Sequence, residues 1–504
     1  MADLSQGSRG PASAPVAGVG QRSVVGFLWM FLQTTGARLA SALGQVVLAR
    51  LLTPEDFGQV GLANTVFAFA TVLSNPGLED ILVQRGARFT RWVNAAFWMS
   101  TVAGCLAALG MLLVSPLAAK LYETPGLPAL IGVLAVNAWV TALTTVPQAQ
   151  LRARMEFKLL ATTGVLAAVL HVVLAVLFAV MGLGALSYVL PLPISGVVRA
   201  ALLWRATRPT LFLNPSLRRW KRLLPDTSSL FLSRLLGSMV SQGDYVLLGI
   251  LASAEQVGLY YFAFNLSRQV VQVFTVNLSS VLLPALSALQ AEPERQMRAA
   301  VRASSLLAVL TIPLCLGQAA IAEPMVQLLF GKQWLESIPM LQLLMLGTAI
   351  NAPAWMNVNL LQAQGRHSMV GRIQLFAAST FLFWVALGAL WKEGLGVALA
   401  SSWAISISSL VGIYVAIRPA GGGLNELLSI YQWPFLLSLL SIGGAWGVTH
   451  AIPLLHVHPL VELLTVMALS IPVYFVGVRM AMPALWRDLL QQLQNLRARR
   501  GARV

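Results

Sequence analysis

Residues 160–181 read LATTGVLAAVLHVVLAVLFAVM, an unbroken run without a charged side chain, preceded by Arg152, Arg154 and Lys158 and followed by Gly182-Leu183-Gly184. A bilayer core about 30 Å thick is crossed by about 20 residues of helix, and in open lipid a helix satisfies its own backbone polar groups. Working outward from this run, the same unit recurs along the whole chain. Apolar spans cover 23–49, 57–83, 92–114, 126–149, 160–181, 185–204, 227–251, 257–289, 303–322, 337–363, 373–390, 395–417, 432–450 and 460–478. The sequence therefore predicts an all-α integral membrane protein of about 14 transmembrane helices. Hydrophobic residues at 57% and charged residues at 10% exclude an ordinary soluble domain.

The cations are distributed with a bias. Of the 34 Lys and Arg residues, 26 fall at the chain ends or in alternate gaps, while Arg50, Lys120, Lys332 and Lys392 occupy the intervening gaps. The positive-inside rule then places both termini in the cytoplasm and requires an even number of crossings. Residues 1–22 lack the apolar core of a signal peptide and read as a disordered cytoplasmic leader. The segment 205–226 is the longest inner loop, and 479–504 is a basic cytoplasmic tail. The net charge of +16 follows from this inner bias and suits anionic lipid headgroups, so nucleic acid is not an expected partner. Cys105 and Cys315 lie inside spans, and His456 and His458 have no third ligand nearby, so no metal site is expected.

Short internal matches divide the chain. Gly44-Gln45-Val46-Val47-Leu48 is similar to Gly243-Asp244-Tyr245-Val246-Leu247, and Gln59-Val60-Gly61-Leu62 to Gln256-Val257-Gly258-Leu259. Two parallel six-helix lobes are expected, residues 23–204 and 227–417, joined by the 205–226 loop and followed by two additional helices within 432–478.

Polar residues at helical spacing mark faces that lipid covers poorly. Thr34, Arg38, Ser41 and Gln45 share one face of span 1; Asn265, Arg268 and Gln272 share one of span 8; Asn351, Trp355, Asn359 and Gln362 line span 10. Together they describe a polar cavity between the lobes. Arg38, Arg199, Arg234 and Arg268 fall inside spans, where a charge costs about 2.5 to 3.5 kcal/mol unless it meets water or an anion. Their planar forks suit phosphate oxygens, and Arg199 and Arg234 lie near enough to inner span ends to snorkel instead. Pro191 and Pro193 predict a kink ahead of Arg199. Asp244, the acid well inside a span, reads either as a proton or sodium site coupled to transport or as the neutralising partner of an arginine.

The stretch from Ala40 through Leu62, including Leu51-Leu52-Thr53-Pro54-Glu55-Asp56-Phe57-Gly58, resembles the start of Wzx-type polysaccharide flippases of the multidrug/oligosaccharidyl-lipid/polysaccharide exporter superfamily. Gly243-Asp244-Tyr245 to Tyr260, Leu283-Pro284-Ala285-Leu286-Ser287 and Gly331-Lys332-Gln333-Trp334 carry the same resemblance. It implies two lobes around an alternately opened cavity, and a substrate: an undecaprenyl-pyrophosphate-linked oligosaccharide, flipped across the bacterial inner membrane for lipopolysaccharide or exopolysaccharide synthesis. It implies further that cavity cations receive the pyrophosphate, a role that fits Arg38, Arg234 and Arg268 by position, that an acid on span 7 such as Asp244 takes part in cation binding, and that a polysaccharide polymerase and a chain-length regulator act beside it.

Two other classes compete. A lipid II or drug exporter of the same superfamily is the nearer, but a cavity for cationic drugs should be acidic. A membrane glycosyltransferase or polymerase needs catalytic carboxylates or a substantial outer loop, and the outer loops here are short. The topology is testable with cysteine labelling in intact cells: residues 205–226 and the tail should be protected and the loop at Lys332 reactive. Labelling of 205–226 from outside would overturn the charge map.

Overall fold

A computed structural model of the chain describes residues 35–38, 40–74, 77–84, 89–209, 217–452, 458–483 and 485–487. Thr34, the leader 1–22 and most of the tail lie outside these. The fold is all-α, with no strand among the described residues. Nine helices among them are long and apolar enough to cross a membrane.

Helix α1 runs over 40–51 and is followed by α2 (Pro54–Ser74), α3 (Leu78–Gln84), α4 (Phe89–Leu121), α5 (Leu127–Ala153), α6 (Phe157–Val180), α7 (Leu186–Val189) and α8 (Pro191–Thr207). Then come α9 (Leu217–Leu251), α10 (Ala254–Ser287), α11 (Pro293–Ala320), α12 (Ala322–Leu329), a 3₁₀ turn over Lys332–Ser337, α13 (Ile338–Ala354), α14 (Met356–Ala363), α15 (His367–Ile417), α16 (Leu424–Ala451) and α17 (Pro459–Ala481). The charge-free run 160–181 lies mostly in α6, which sits at the periphery with Leu166, Val173 and Leu177 exposed, and this explains why it is apolar all round. By contrast α5 and α11 are the most deeply packed of the long apolar helices.

Two departures from the expected spans, and one reversal that falls between the expected spans 373–390 and 395–417, have local causes. The 205–226 segment is helical from Leu217, because α9 extends inward of the apolar core and Trp220 packs near the cluster of Leu78, Trp92 and Ala149. At Pro191 the helix loses a hydrogen bond, yet Leu190 keeps φ −60° and ψ −36°, so the expected kink is a break in bonding with little change of backbone direction at that residue. Helix α15 is 51 residues long, too long for one crossing, and it doubles back where Lys392 takes φ −149° and Glu393 φ 43°. The turn is tight because a Cβ on Gly388 would lie 2.3 Å from the Gly396 carbonyl oxygen.

The two matching tetrapeptides fall on α2 and α10, which pack on each other near their starts. A Cβ on Gly58 would lie 1.8 Å from the Ala254 oxygen, and one on Gly258 would lie 1.7 Å from the Pro54 oxygen. The contact is reciprocal: Pro54 corresponds to Ala254 and Gly58 to Gly258, a spacing of 200 residues (54 to 254). This register differs from that of the matching tetrapeptides, which pair Gly61 with Gly258. Leu51-Leu52-Thr53-Pro54-Glu55-Asp56-Phe57-Gly58 thereby aligns with Leu251-Ala252-Ser253-Ala254-Glu255-Gln256-Val257-Gly258.

The same end of the molecule is sealed by the 3₁₀ turn. Trp334, fully buried, donates its indole N–H to the Ala49 oxygen at 2.7 Å and stacks on Phe262 at 4.3 Å between ring centroids. Gln333 donates to the Ala49 and Leu52 oxygens, and Arg50 reaches back to the Leu328 and Leu329 oxygens. Gly58→Ala and Gly258→Ala should each lower the melting temperature of the purified protein by an amount equivalent to about 1–3 kcal/mol of overpacking. Gly110→Ala, where nothing lies within 4 Å, is the control and should leave it unchanged or raised. Equal melting of all three variants would refute the tight crossing.

Candidate functional site

Beneath the sealed end, α9, α10, α13 and α15 surround a cavity of about 500 Å³ whose lining includes Ser241, Arg268, Gln272, Thr348, Asn351 and Trp355. A second cavity of about 500 Å³ adjoins it, shares Asn351 and Trp355, and adds Asn357, Asn359, Gln362 and Ser408. Six of the residues expected on polar faces, Arg268, Gln272, Asn351, Trp355, Asn359 and Gln362, therefore line the two adjoining cavities, which lie within 227–417 and not between the two expected lobes, because every lining residue comes from α9, α10 and the helices from α13 to α15. Helical periodicity puts Arg268 and Gln272 on one face of α10, while Trp355 projects from the junction of α13 and α14, just after Pro353.

Arg268 lines the first cavity with its guanidinium carbon 5.1 Å from the Phe264 ring centroid, one turn earlier on α10. The ring face offers the cation a partner without neutralising it, which leaves the fork able to meet an anion. Arg38 does not line either cavity but donates from Nη1 to Gln272 Oε1 at 3.0 Å. About one turn earlier on α10, Gln269 donates to Gln45. The two bonds zip the first span to α10, so Arg38 stands one hydrogen bond away from the cavity wall.

Other expected residues lie elsewhere. Ser41 is exposed, and Asn265 donates to the Tyr261 oxygen of its own helix at 2.8 Å. Arg234 is half-buried on α9 and lines neither cavity. Arg199 is half-buried on α8 beside Arg152 and Glu79, themselves 3.0 Å apart, with its Nε buried and without a hydrogen-bond acceptor among the described residues.

Asp244 is fully buried behind the cavity wall. Its Oδ2 accepts from the Tyr260 hydroxyl at 2.7 Å and its Oδ1 from the Tyr245 backbone N–H at 3.0 Å, and the Tyr260 hydroxyl is 3.2 Å from Ser401 Oγ. Asp244 makes no ion pair among the described residues; a tyrosine hydroxyl and a backbone N–H satisfy its carboxyl group. Tyr260 and Ser401 escaped the sequence reading. Ser401 is one residue away from the Ser402 that lines the cavity, and an aromatic residue in an apolar span reads as core.

Fold and cavity together define a multi-pass helical membrane protein of transporter architecture. The chain belongs to the polysaccharide biosynthesis protein family, whose profile matches residues 47–339, in accord with the resemblance read from Ala40 through Leu62. It is 27% identical over 362 residues to the succinoglycan biosynthesis transport protein ExoT of Rhizobium meliloti (strain 1021), covering 72% of this chain and 73% of that one. It is 24% identical over 450 residues to the lipopolysaccharide biosynthesis protein WzxC of Escherichia coli (strain K12), covering 85% and 88%. Among solved structures, the lipid II flippase MurJ in its inward closed conformation superposes with a TM-score of 0.75 at 14% identity, covering 92% of this chain and 99% of that one.

The Asp244 arrangement predicts a coupled pair. Tyr260→Phe leaves a buried carboxylate oxygen unsatisfied and should cost about 1–3 kcal/mol of stability. In a double-mutant thermal melting cycle, Tyr260→Phe should cost markedly less in an Asp244→Asn background. Additive losses would show that the hydroxyl and the carboxylate do not interact.

Proposed function

We propose that this protein carries an undecaprenyl-pyrophosphate-linked oligosaccharide from the inner to the outer leaflet of a bacterial cytoplasmic membrane, by alternating access and without covalent chemistry. The carrying observation is Arg268, a guanidinium facing a polar cavity inside an otherwise apolar helical bundle. An intramembrane charge of this kind is retained for a bound ion, and a bidentate fork matches a phosphate. Arg38 reinforces it by fixing Gln272 and adding positive potential at the wall. The chain's similarity to proteins of succinoglycan and lipopolysaccharide biosynthesis supports a saccharide substrate.

The motion in this reading is a rocking of the two six-helix halves, 23–204 and 227–417, with the contacts of Trp334, Gln333 and Arg50 released as the sealed end opens. The cation bias assigns that end to the outside and both termini to the cytoplasm. Asp244 is the proposed point of coupling to a proton or sodium gradient, because a carboxyl group held between α9 and α10 changes its solvation when these helices part. A polymerase and a chain-length regulator would take up the product. Export of cationic drugs fits less well, since no carboxylate lines either cavity among the described residues. The amide, serine and tryptophan linings suit binding rather than glycosyl transfer.

In proteoliposomes loaded with a fluorescent undecaprenyl-pyrophosphoryl saccharide, Arg268→Ala should slow transbilayer movement about tenfold or more, the effect of losing one charge-assisted contact. Arg268→Lys should recover part of the rate, because it keeps the charge and loses the fork. Wild-type rates in Arg268→Ala would remove the phosphate role.

A further inference from the structure

The two adjoining cavities differ in charge. Arg268 lines the first, whereas no Lys, Arg, His, Asp or Glu lines the second among the described residues. Arg372, two positions before Gln374 on α15, is exposed and is not part of that lining. What the second cavity offers is an aromatic face and unspent amides. Trp355 is 38% exposed, and its indole N–H donates to Asn351 Oδ1 at 3.3 Å. Asn351 is held in turn by donating to Ser409 Oγ at 2.8 Å. This chain fixes the edge of the indole. Around it, the side-chain amides of Asn357, Gln362 and Gln374 make no hydrogen bond among the described residues.

We propose that this second cavity is the saccharide subsite and that it takes an uncharged hexose, discriminating against a uronic acid at the same position. The proposal rests on the pyrophosphate being held at Arg268, since the two cavities share Asn351, Trp355 and Gln374 in their walls. A carboxamide both donates and accepts, as each sugar hydroxyl does, so three of them suit a ring of hydroxyl groups. The electron-rich face of an indole receives the C–H face of a hexose. A uronate carboxylate would give up its water here for neutral dipoles alone, with no cation to compensate its desolvation.

The test uses the full-length protein in nanodiscs and three probes: undecaprenyl pyrophosphate, undecaprenyl-pyrophosphoryl glucose and undecaprenyl-pyrophosphoryl glucuronate. Dissociation constants are read by direct binding of radiolabelled forms of the three probes. Glucose should improve affinity about tenfold over the bare lipid, the increment of a stacked and hydrogen-bonded ring, and glucuronate should add nothing. The ratio of glucosyl to bare affinity should fall to near one in both Trp355→Ala and Asn357→Ala. Equal affinity for the two sugars, or a ratio that survives both substitutions, overturns the proposal. A protein that ignores the bare lipid yet prefers the glucosyl to the glucuronyl form overturns the pyrophosphate reading and supports the subsite.

Discussion

The reciprocal crossing of Gly58 and Gly258 is the contact on which the arrangement of the other helices depends. Each glycine lets the other helix bring its first carbonyl to a distance that a methyl group would forbid. Because the hydrophobic effect does not drive helices together in lipid, close backbone approach and hydrogen bonds must supply the specificity. From this crossing α2 and α10 descend side by side, joined by Asn64 donating to the Tyr261 hydroxyl at 3.2 Å. The aromatic cluster of Phe57, Phe262 and Trp334 closes over the crossing. The cavity lies beyond it, where the linings change from aromatic rings to amides, hydroxyls and Arg268.

Much of this was legible in the sequence because the bilayer imposes one strict rule, that backbone groups be satisfied within each crossing. Long apolar runs therefore had to be helices, and polar residues three or four apart within them had to face something other than lipid. Arg268, Gln272, Asn351, Trp355, Asn359 and Gln362 were found this way. The periodicity says which face is polar but not what meets it. Arg38 and Arg268 looked equivalent in the sequence; the structure gives one to Gln272 and the other to the cavity. Likewise Tyr260 carries no polar spacing signal, and its bond to Asp244 spans 16 residues around the α9–α10 turn. Gln374, alone among apolar neighbours on α15, was not distinguished from an ordinary helix residue.

Position along the cavity separates the chemistry. Charge is confined to the end lined by Arg268 and buttressed by Arg38, and the amide-rich end is neutral. A single lipid-linked substrate can meet both, because its anionic and saccharide portions are covalently joined in a fixed order. The buried Asp244 lines neither cavity, bonded to Tyr260, whose hydroxyl also meets Ser401, while its charge still lies within Coulombic reach of Arg268.

The central claim is that the sealed end must open for a lipid-linked saccharide to cross. In a background with Cys105 and Cys315 replaced by serine, Arg50→Cys and Leu329→Cys can be bridged by a short bifunctional thiosulfonate across the contact that Arg50 now makes with the Leu329 oxygen at 2.8 Å. In proteoliposomes the bridged protein should bind the fluorescent undecaprenyl-pyrophosphoryl saccharide but not move it between leaflets, and reduction of the bridge should restore movement. Undiminished transbilayer movement with the bridge intact would contradict the account.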